Sequence, residues 1–111
     1  MLEIIVKAIN EKKGEDILAI DVSESSPICD YIILCSATNE RQLMSIANSI
    51  DDELSKNNFE IKKIHGKGSK WLIVDASSIV VHIFSKEERD NYNLEKMWEP
   101  FPKVDISEYL A

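Results

Sequence analysis

HGKGSKWLIVDASSIVVHIF, residues 65–84, is the stretch whose pairing decides the fold. Two apolar runs of strand length flank Ser77-Ser78, the pattern of a hairpin. With those serines as the two turn residues, Trp71 stands opposite Phe84, Ile73 opposite His82 and Asp75 opposite Val80. Side chains alternate along a strand, so these six share one face, while Leu72, Val74, Ala76, Ile79, Val81 and Ile83 share the other. The second set is wholly apolar and is expected to be core. The first combines large rings with a carboxylate and an imidazole, which suits a contact surface better than a second dry core. A slip of one residue would exchange the two faces. Asp75 needs a partner, because an unpaired carboxylate in an apolar strand is costly to bury. Capping of a local turn would satisfy it; beside Trp71, a residue type frequent at binding hot spots, the expectation is a cation from outside.

Working outward, ILAIDV (residues 17–22) and YIILC (residues 31–35) are nearly unbroken apolar runs, as in central strands covered on both faces. SESSPICD between them reads as a turn or short helix. Upstream, Leu2, Ile5, Val6 and Ile9 recur at helical spacing, and Lys12-Lys13-Gly14 supplies a helix end with glycine in the left-handed conformation. Asn39 caps a longer helix, with Gln42 placed to reach back and Leu43, Ile46, Ala47, Ile50 and Leu54 forming a core stripe. Residues 59–64 (FEIKKI) suit an edge strand, and strand, helix and strand here make a right-handed parallel crossover. Ser85 and Glu88 form a capping box that opens a last helix, followed by an apolar run of Tyr92, Leu94, Met97 and Trp98. The fold class is therefore α/β, a mixed sheet of about five strands flanked by helices. Residues 1–98 form one domain, and 99–111, with two prolines and little periodicity, a C-terminal tail ordered only by docking on a neighbour.

The chain has 111 residues, 44% of them apolar, with three Gly and three Pro, which fits one compact domain. No apolar run approaches the ~18 residues of a membrane span, and the N-terminal residues mix acids among apolar side chains, unlike a signal peptide. A soluble cytoplasmic protein with buried, reduced Cys29 and Cys35 is expected. The net charge of −7 argues against nucleic acid as the main ligand and for a basic partner, although acidity also keeps a small protein soluble.

Catalytic signals are weak. A pairing of Cys29 or Cys35 with His65 or His82 has no support from spacing, and no His-x₃-His or Cys-x₂-Cys pair marks a metal site. HGKGSK matches neither GxxxxGK[ST] nor a helix-opening GxGxxG. Gly68-Ser69 followed by Asp75 has the Gly-Ser and acid order of nucleotidyltransferases, but the second carboxylate that two metals need is absent, since residue 73 is Ile. A nucleotidyltransferase-like scaffold without catalytic metal ligands fits better than an active enzyme.

GEDILAIDVSESSPICDYIILCSATNERQ, KWLIVDASSIVVHIF and KEERDNYNLEKMW, in this order and spacing, resemble the ribosomal silencing factor family, also called Iojap, over residues 2–98. The resemblance implies a non-catalytic domain without cofactor or metal. It implies binding to the large ribosomal subunit through the ribosomal protein numbered fourteen, near an intersubunit bridge, with ribosomal RNA at most peripheral. By the same resemblance, joining of the small subunit is expected to be obstructed and translation lowered when nutrients are scarce, and the free protein is expected to be a homodimer. Organellar relatives are associated with subunit assembly, which is the alternative, together with a residual nucleotide-binding transferase. Carried over by motif, the partner-binding candidates are Trp71, Asp75, Asp30, Tyr31, His82, Phe84, Glu88, Arg89, Tyr92 and Leu94, with Leu94 and Phe84 the first expected to serve the fold instead. The family usually has Gly in the hairpin turn, where this chain has Ser77-Ser78, and serine resists the positive φ of a primed turn.

Overall fold

The computed structural model describes residues 1–110, apart from the side chains of Tyr92 and Leu94. In chain order the elements are α1 (Leu2–Glu11), β1 (Glu15–Asp21), β2 (Tyr31–Ala37), α2 (Glu40–Lys56), β3 (Lys63–His65), β4 (Trp71–Asp75), β5 (Ile79–Ser85), α3 (Lys86–Tyr92), a 3₁₀ turn at Leu94–Trp98, β6 (Lys103–Val104) and a closing 3₁₀ turn at Ser107–Leu110. The six strands form one sheet in the order β3-β4-β5-β2-β1-β6. β2 and β5 run parallel, and every other neighbouring pair is antiparallel. The sheet is thus mixed, with one strand more than expected.

The hairpin has the register read from the sequence: Trp71 pairs with Phe84, Ile73 with His82 and Asp75 with Val80. Leu72, Val74, Ala76, Ile79, Val81 and Ile83 are all buried, and they pack with Ile5, Val6 and Ile9 of α1 and the Leu43, Ile46, Ala47, Ile50, Leu54 stripe of α2. Both long helices therefore cover one face of the sheet. Asn39 accepts from the Gln42 N–H at 2.8 Å, and Gln42 reaches back to the Thr38 N–H at 2.7 Å. The amide of Gln42 also donates to the Lys12 and Lys13 carbonyls, so one side chain ties the start of α2 to the end of α1.

Three expectations need correction. The left-handed residue after α1 is Lys13, with φ 63°, not Gly14. Glycine is required at 14 for space, since a Cβ there would lie 2.4 Å from the Ile9 side chain. The edge strand is Lys63–His65 and not 59–64, because β4 ends at Asp75 and offers no ladder beyond the bond from Lys62 N–H to the Asp75 carbonyl. Phe59 and Ile61 instead pack against the main core outside any strand. The crossover from β2 through α2 does reach a strand parallel to β2, with β5 and β4 lying between.

Residues 99–110 do not wait for a neighbour. β6 pairs with β1 through Ala19–Val104 and Ile20–Lys103, and Ile106 is buried in the main core. Two residues of pairing are too few to leave a strand signature in the sequence, so the sheet has a sixth strand that periodicity does not show.

The other face of the sheet is covered over part of its width by α3 and the chain up to Phe101, forming a smaller core of Ile20, Val22, Cys29, Leu34 and Phe84 with Trp98 and Phe101 against it. Arg89 fastens this cover. Its guanidinium is buried, donates from Nη1 to the Asp16 carbonyl (2.8 Å) and Ser36 Oγ (2.9 Å) and from Nε to Glu95 (2.6 Å), and lies 5.9 Å from the centre of the Phe84 ring. Asp16 sits at a β-bulge with φ 50°, where its carbonyl meets the guanidinium. Replacing Arg89 by Met would strand the Asp16 and Ser36 acceptors beneath the cover. Arg89→Met is expected to lower unfolding free energy by about 2–4 kcal/mol in urea titration; an unchanged midpoint would contradict this role.

Candidate functional site

The face opposite the long helices divides into two halves. On the side of β2 and β1 it is sealed by the smaller core; toward the β3 edge it is open. Pairing places Lys63 opposite Asp75 and His65 opposite Ile73, so these four share that face with Trp71, Val80 and His82. Lys63 and His65 are exposed, while Ile73, Asp75, Val80, Trp71 and His82 are half-buried.

Trp71 stands at the boundary between the halves. Its ring lies near-parallel to Phe84 (25°, centroids 5.6 Å apart), and its Nε1–H donates to His82 Nδ1 at 3.2 Å. That bond requires an unprotonated Nδ1. Burial favours the same neutral form and pushes the His82 pKa down to about 4. Trp71 is thus an indole held by its polar edge and stacked from below, which removes rotamer freedom before any partner arrives. Beside it opens a cavity of about 510 Å³ lined by His65, Lys70, Trp71, Ile73 and Glu88 among others. Glu88 points here because its expected return bond in the capping box has no vacancy: the Ser85 N–H is already given to the Lys70 carbonyl (3.0 Å), and only the Ser85 Oγ half of the box forms.

At the other end of the hairpin, Asp75 and Asp30 line a second groove of about 250 Å³ together with Ile28, Lys62 and Ser77. Asp75 accepts the Ser77 N–H at 3.0 Å, so the local turn supplies the partner that the sequence reading sought from outside. Ser77 has φ 69°, the positive value that serine resists, and this bond helps hold it there. Asp30 is exposed, its backbone fixed by bonds to Ser78 and Val22. Neighbouring Ile28 is 81% exposed, the most exposed large apolar side chain described.

The ten candidates therefore separate. Trp71, His82 and Phe84 come together, although Phe84 is fully buried and serves as the floor. Glu88 joins the Trp71 cavity, and Asp30 and Asp75 share the second groove. Tyr31 packs toward the main core on the helix side, away from Trp71. Arg89 is committed internally. The side chains of Tyr92 and Leu94 lie outside the described residues. Sequence reasoning missed His65 and Lys63, which join the face only through the sheet order, and Ile28, whose exposure follows from the loop that carries it.

The other chemistry examined in the sequence finds little geometric support. Cys35 faces the helix side, opposite to His82, and burial pushes its thiol up to about 12. The Ser69 hydroxyl lies 2.6 Å and 2.8 Å from the Gly66 and Trp71 carbonyls and accepts the Trp71 N–H, which commits it to closing the loop. Among the described residues no group of three His, Cys, Asp or Glu side chains could hold a metal ion, and no helix is long and apolar enough to cross a membrane.

Because the folded pKa of His82 lies below the ordinary 6.5, its contribution to stability is fully present above about pH 6.5 and is lost as pH falls toward 4. About 2 kcal/mol of it should be gone by pH 5. Urea unfolding at pH 7.5 and pH 5 should show a larger loss for the native chain than for His82→Gln; equal losses would contradict the neutral, bonded imidazole.

Over residues 1–111 the chain matches the family described as "Ribosomal silencing factor during starvation". It is 38% identical over 107 residues to a Bacillus subtilis protein named Ribosomal silencing factor RsfS, covering 96% of this chain and 91% of that one. A crystal structure of a Bacillus halodurans protein superposes with a TM-score of 0.82 at 33% identity, covering 94% of this chain and 95% of that one. A Mus musculus protein named Mitochondrial assembly of ribosomal large subunit protein 1 is 30% identical over 101 residues, which cover 87% of this chain and 44% of that one. Sequence match and fold agree: the chain belongs to the ribosomal silencing factor family.

Proposed function

We propose that this chain is a cytoplasmic translational repressor that binds the large ribosomal subunit through the ribosomal protein numbered fourteen. Once docked it occupies the space the small subunit needs, and it lowers translation when nutrients are limiting. Away from the ribosome it pairs as a homodimer. The observation that carries this reading is the open half of the sheet face, where a pre-ordered Trp71 lies beside an apolar cavity and is flanked by polar groups. The net charge of −7 complements a basic ribosomal protein, while surrounding RNA phosphate repels the acidic chain outside the docked patch. Steric exclusion requires a firm grip and no reaction, consistent with a Gly-Ser loop whose hydroxyl is used internally.

A role in large-subunit assembly is the second reading, favoured by the name of the mouse relative. Both begin with the same docking and differ in whether mature subunits are kept apart.

Docking is tested by co-sedimentation of variants with purified large subunits. Trp71→Ala should weaken binding by about thirtyfold or more, the loss typical of a central aromatic anchor. Asp75→Asn keeps an acceptor for the Ser77 N–H while removing the charge, and should weaken binding several-fold with the fold intact. Native-like binding by both folded variants would rule out this face.

A further inference from the structure

Two indoles flank a single imidazole. The His82 ring centre lies 5.9 Å from that of Trp71 and 5.6 Å from that of Trp98, both tilted. Trp71 belongs to the docking face, whereas Trp98 reaches His82 from the covered half, at the end of the 3₁₀ turn Leu94–Trp98.

That turn is fastened at both ends. Glu95 near its start is bonded to the buried Arg89 at 2.6 Å. At its end, Lys103 Nζ lies within hydrogen-bonding distance of three carbonyls, those of Trp98 (3.1 Å), Glu99 (3.3 Å) and Phe101 (2.9 Å). The Trp98 carbonyl also accepts the Phe101 N–H at 3.0 Å. Lys103 itself is fixed by the pairing of β6 with Ile20 of β1. The short C-terminal strand therefore does more than close a sheet edge: it carries the cation that gathers the chain around Trp98.

We propose that Trp98 is a positioning residue for the docking face, covering His82 so that its ring stays unprotonated and holds the Trp71 indole in the orientation a partner meets. This rests on the docking role of Trp71 proposed above. An aromatic ring against His82 excludes water from it, and a dry imidazole prefers the neutral form whose Nδ1 can accept from Trp71. Without that ring, water reaches His82, protonation below about pH 6.5 removes the acceptor, and the indole is released to sample other rotamers.

The sequence contains two Trp and two His, which permits a clean measurement. In a His65→Gln background, Trp98→Phe and Trp98→Ala each leave Trp71 as the only indole and His82 as the only imidazole. A protonated imidazole quenches a neighbouring indole, so Trp71 emission reports the charge on His82. With Trp98→Phe, emission should be flat from pH 8 to pH 5.5. With Trp98→Ala it should titrate in that range, with a midpoint moved up toward 6.5, and be red-shifted. In the otherwise native chain, Trp98→Ala should weaken co-sedimentation with large subunits about tenfold at about pH 5.5 and little at about pH 7.5, and Trp98→Phe should restore binding at about pH 5.5 to within about twofold. If Trp98→Ala does not fold, judged by circular dichroism, Trp98→Leu keeps apolar volume without the ring and should behave as expected of Ala. Flat, unshifted emission in the Ala or Leu variant overturns the positioning role. Native binding at about pH 5.5 by that variant while Trp71→Ala fails to bind overturns the inference and leaves the docking face standing; native binding by both overturns both.

Discussion

The bond from the Ser77 N–H to the Asp75 carboxylate sits in the one turn whose register sorts every side chain of β4 and β5. Left-handed backbone at a serine costs on the order of 1 kcal/mol, and the carboxylate placed two residues before it offsets that cost locally. The two-residue turn closes with the Ala76 N–H on the Ile79 carbonyl. From there alternation directs Leu72, Val74, Val81 and Ile83 to the long helices and Trp71, Ile73 and His82 to the opposite side. A register shifted by one would bury an imidazole and a carboxylate among the aliphatics of α1 and α2, a cost no contact there could offset.

What the alternation delivers is a second face that is only half sealed. Arg89, buried, gathers acceptors from β1, β2 and the 3₁₀ turn, and Lys103, at the surface of β6, gathers the carbonyls of Trp98, Glu99 and Phe101; together they hold α3 and the 3₁₀ turn over β1 and β2. Among the described residues no such clamp reaches β3, and the face there is open. The mixture first read as a contact surface is therefore two things: Phe84 with Trp98 and Phe101 is a small core, and Trp71 with Ile73 and His65 is the exposed continuation of it. A surface continuous with a rigid core would lose little entropy on binding, which suits the docking role proposed for it.

Much of this was legible in the chain because apolar periodicity is strong where both faces of a strand or one stripe of a helix are buried. The hairpin register, the Asn39 and Ser85 caps and the α2 stripe follow from it. What escaped was set by long-range geometry. Arg89 reads as a partner-binding candidate until the fold brings Asp16 and Ser36 to it. Gly14 looks like a cap, yet its role is to make room for Ile9. β6 has too few residues to show a period, and Lys63 and His65 enter the site only because β3 lies at the edge beside β4. Asp75 showed the limit of reading chemistry from composition: its carboxylate was expected to await a partner and already serves the turn.

In the proposed function, a chain docked by the Trp71 face keeps the ribosomal subunits apart. Light scattering of purified large and small subunits mixed in magnesium, with and without this protein preincubated on the large subunit, tests it most directly. The scattering increase that accompanies joining should be lost with the native chain and recovered when Trp71→Ala replaces it. Normal joining by large subunits that demonstrably carry the native protein would contradict it and would leave assembly as the role of the same docking face.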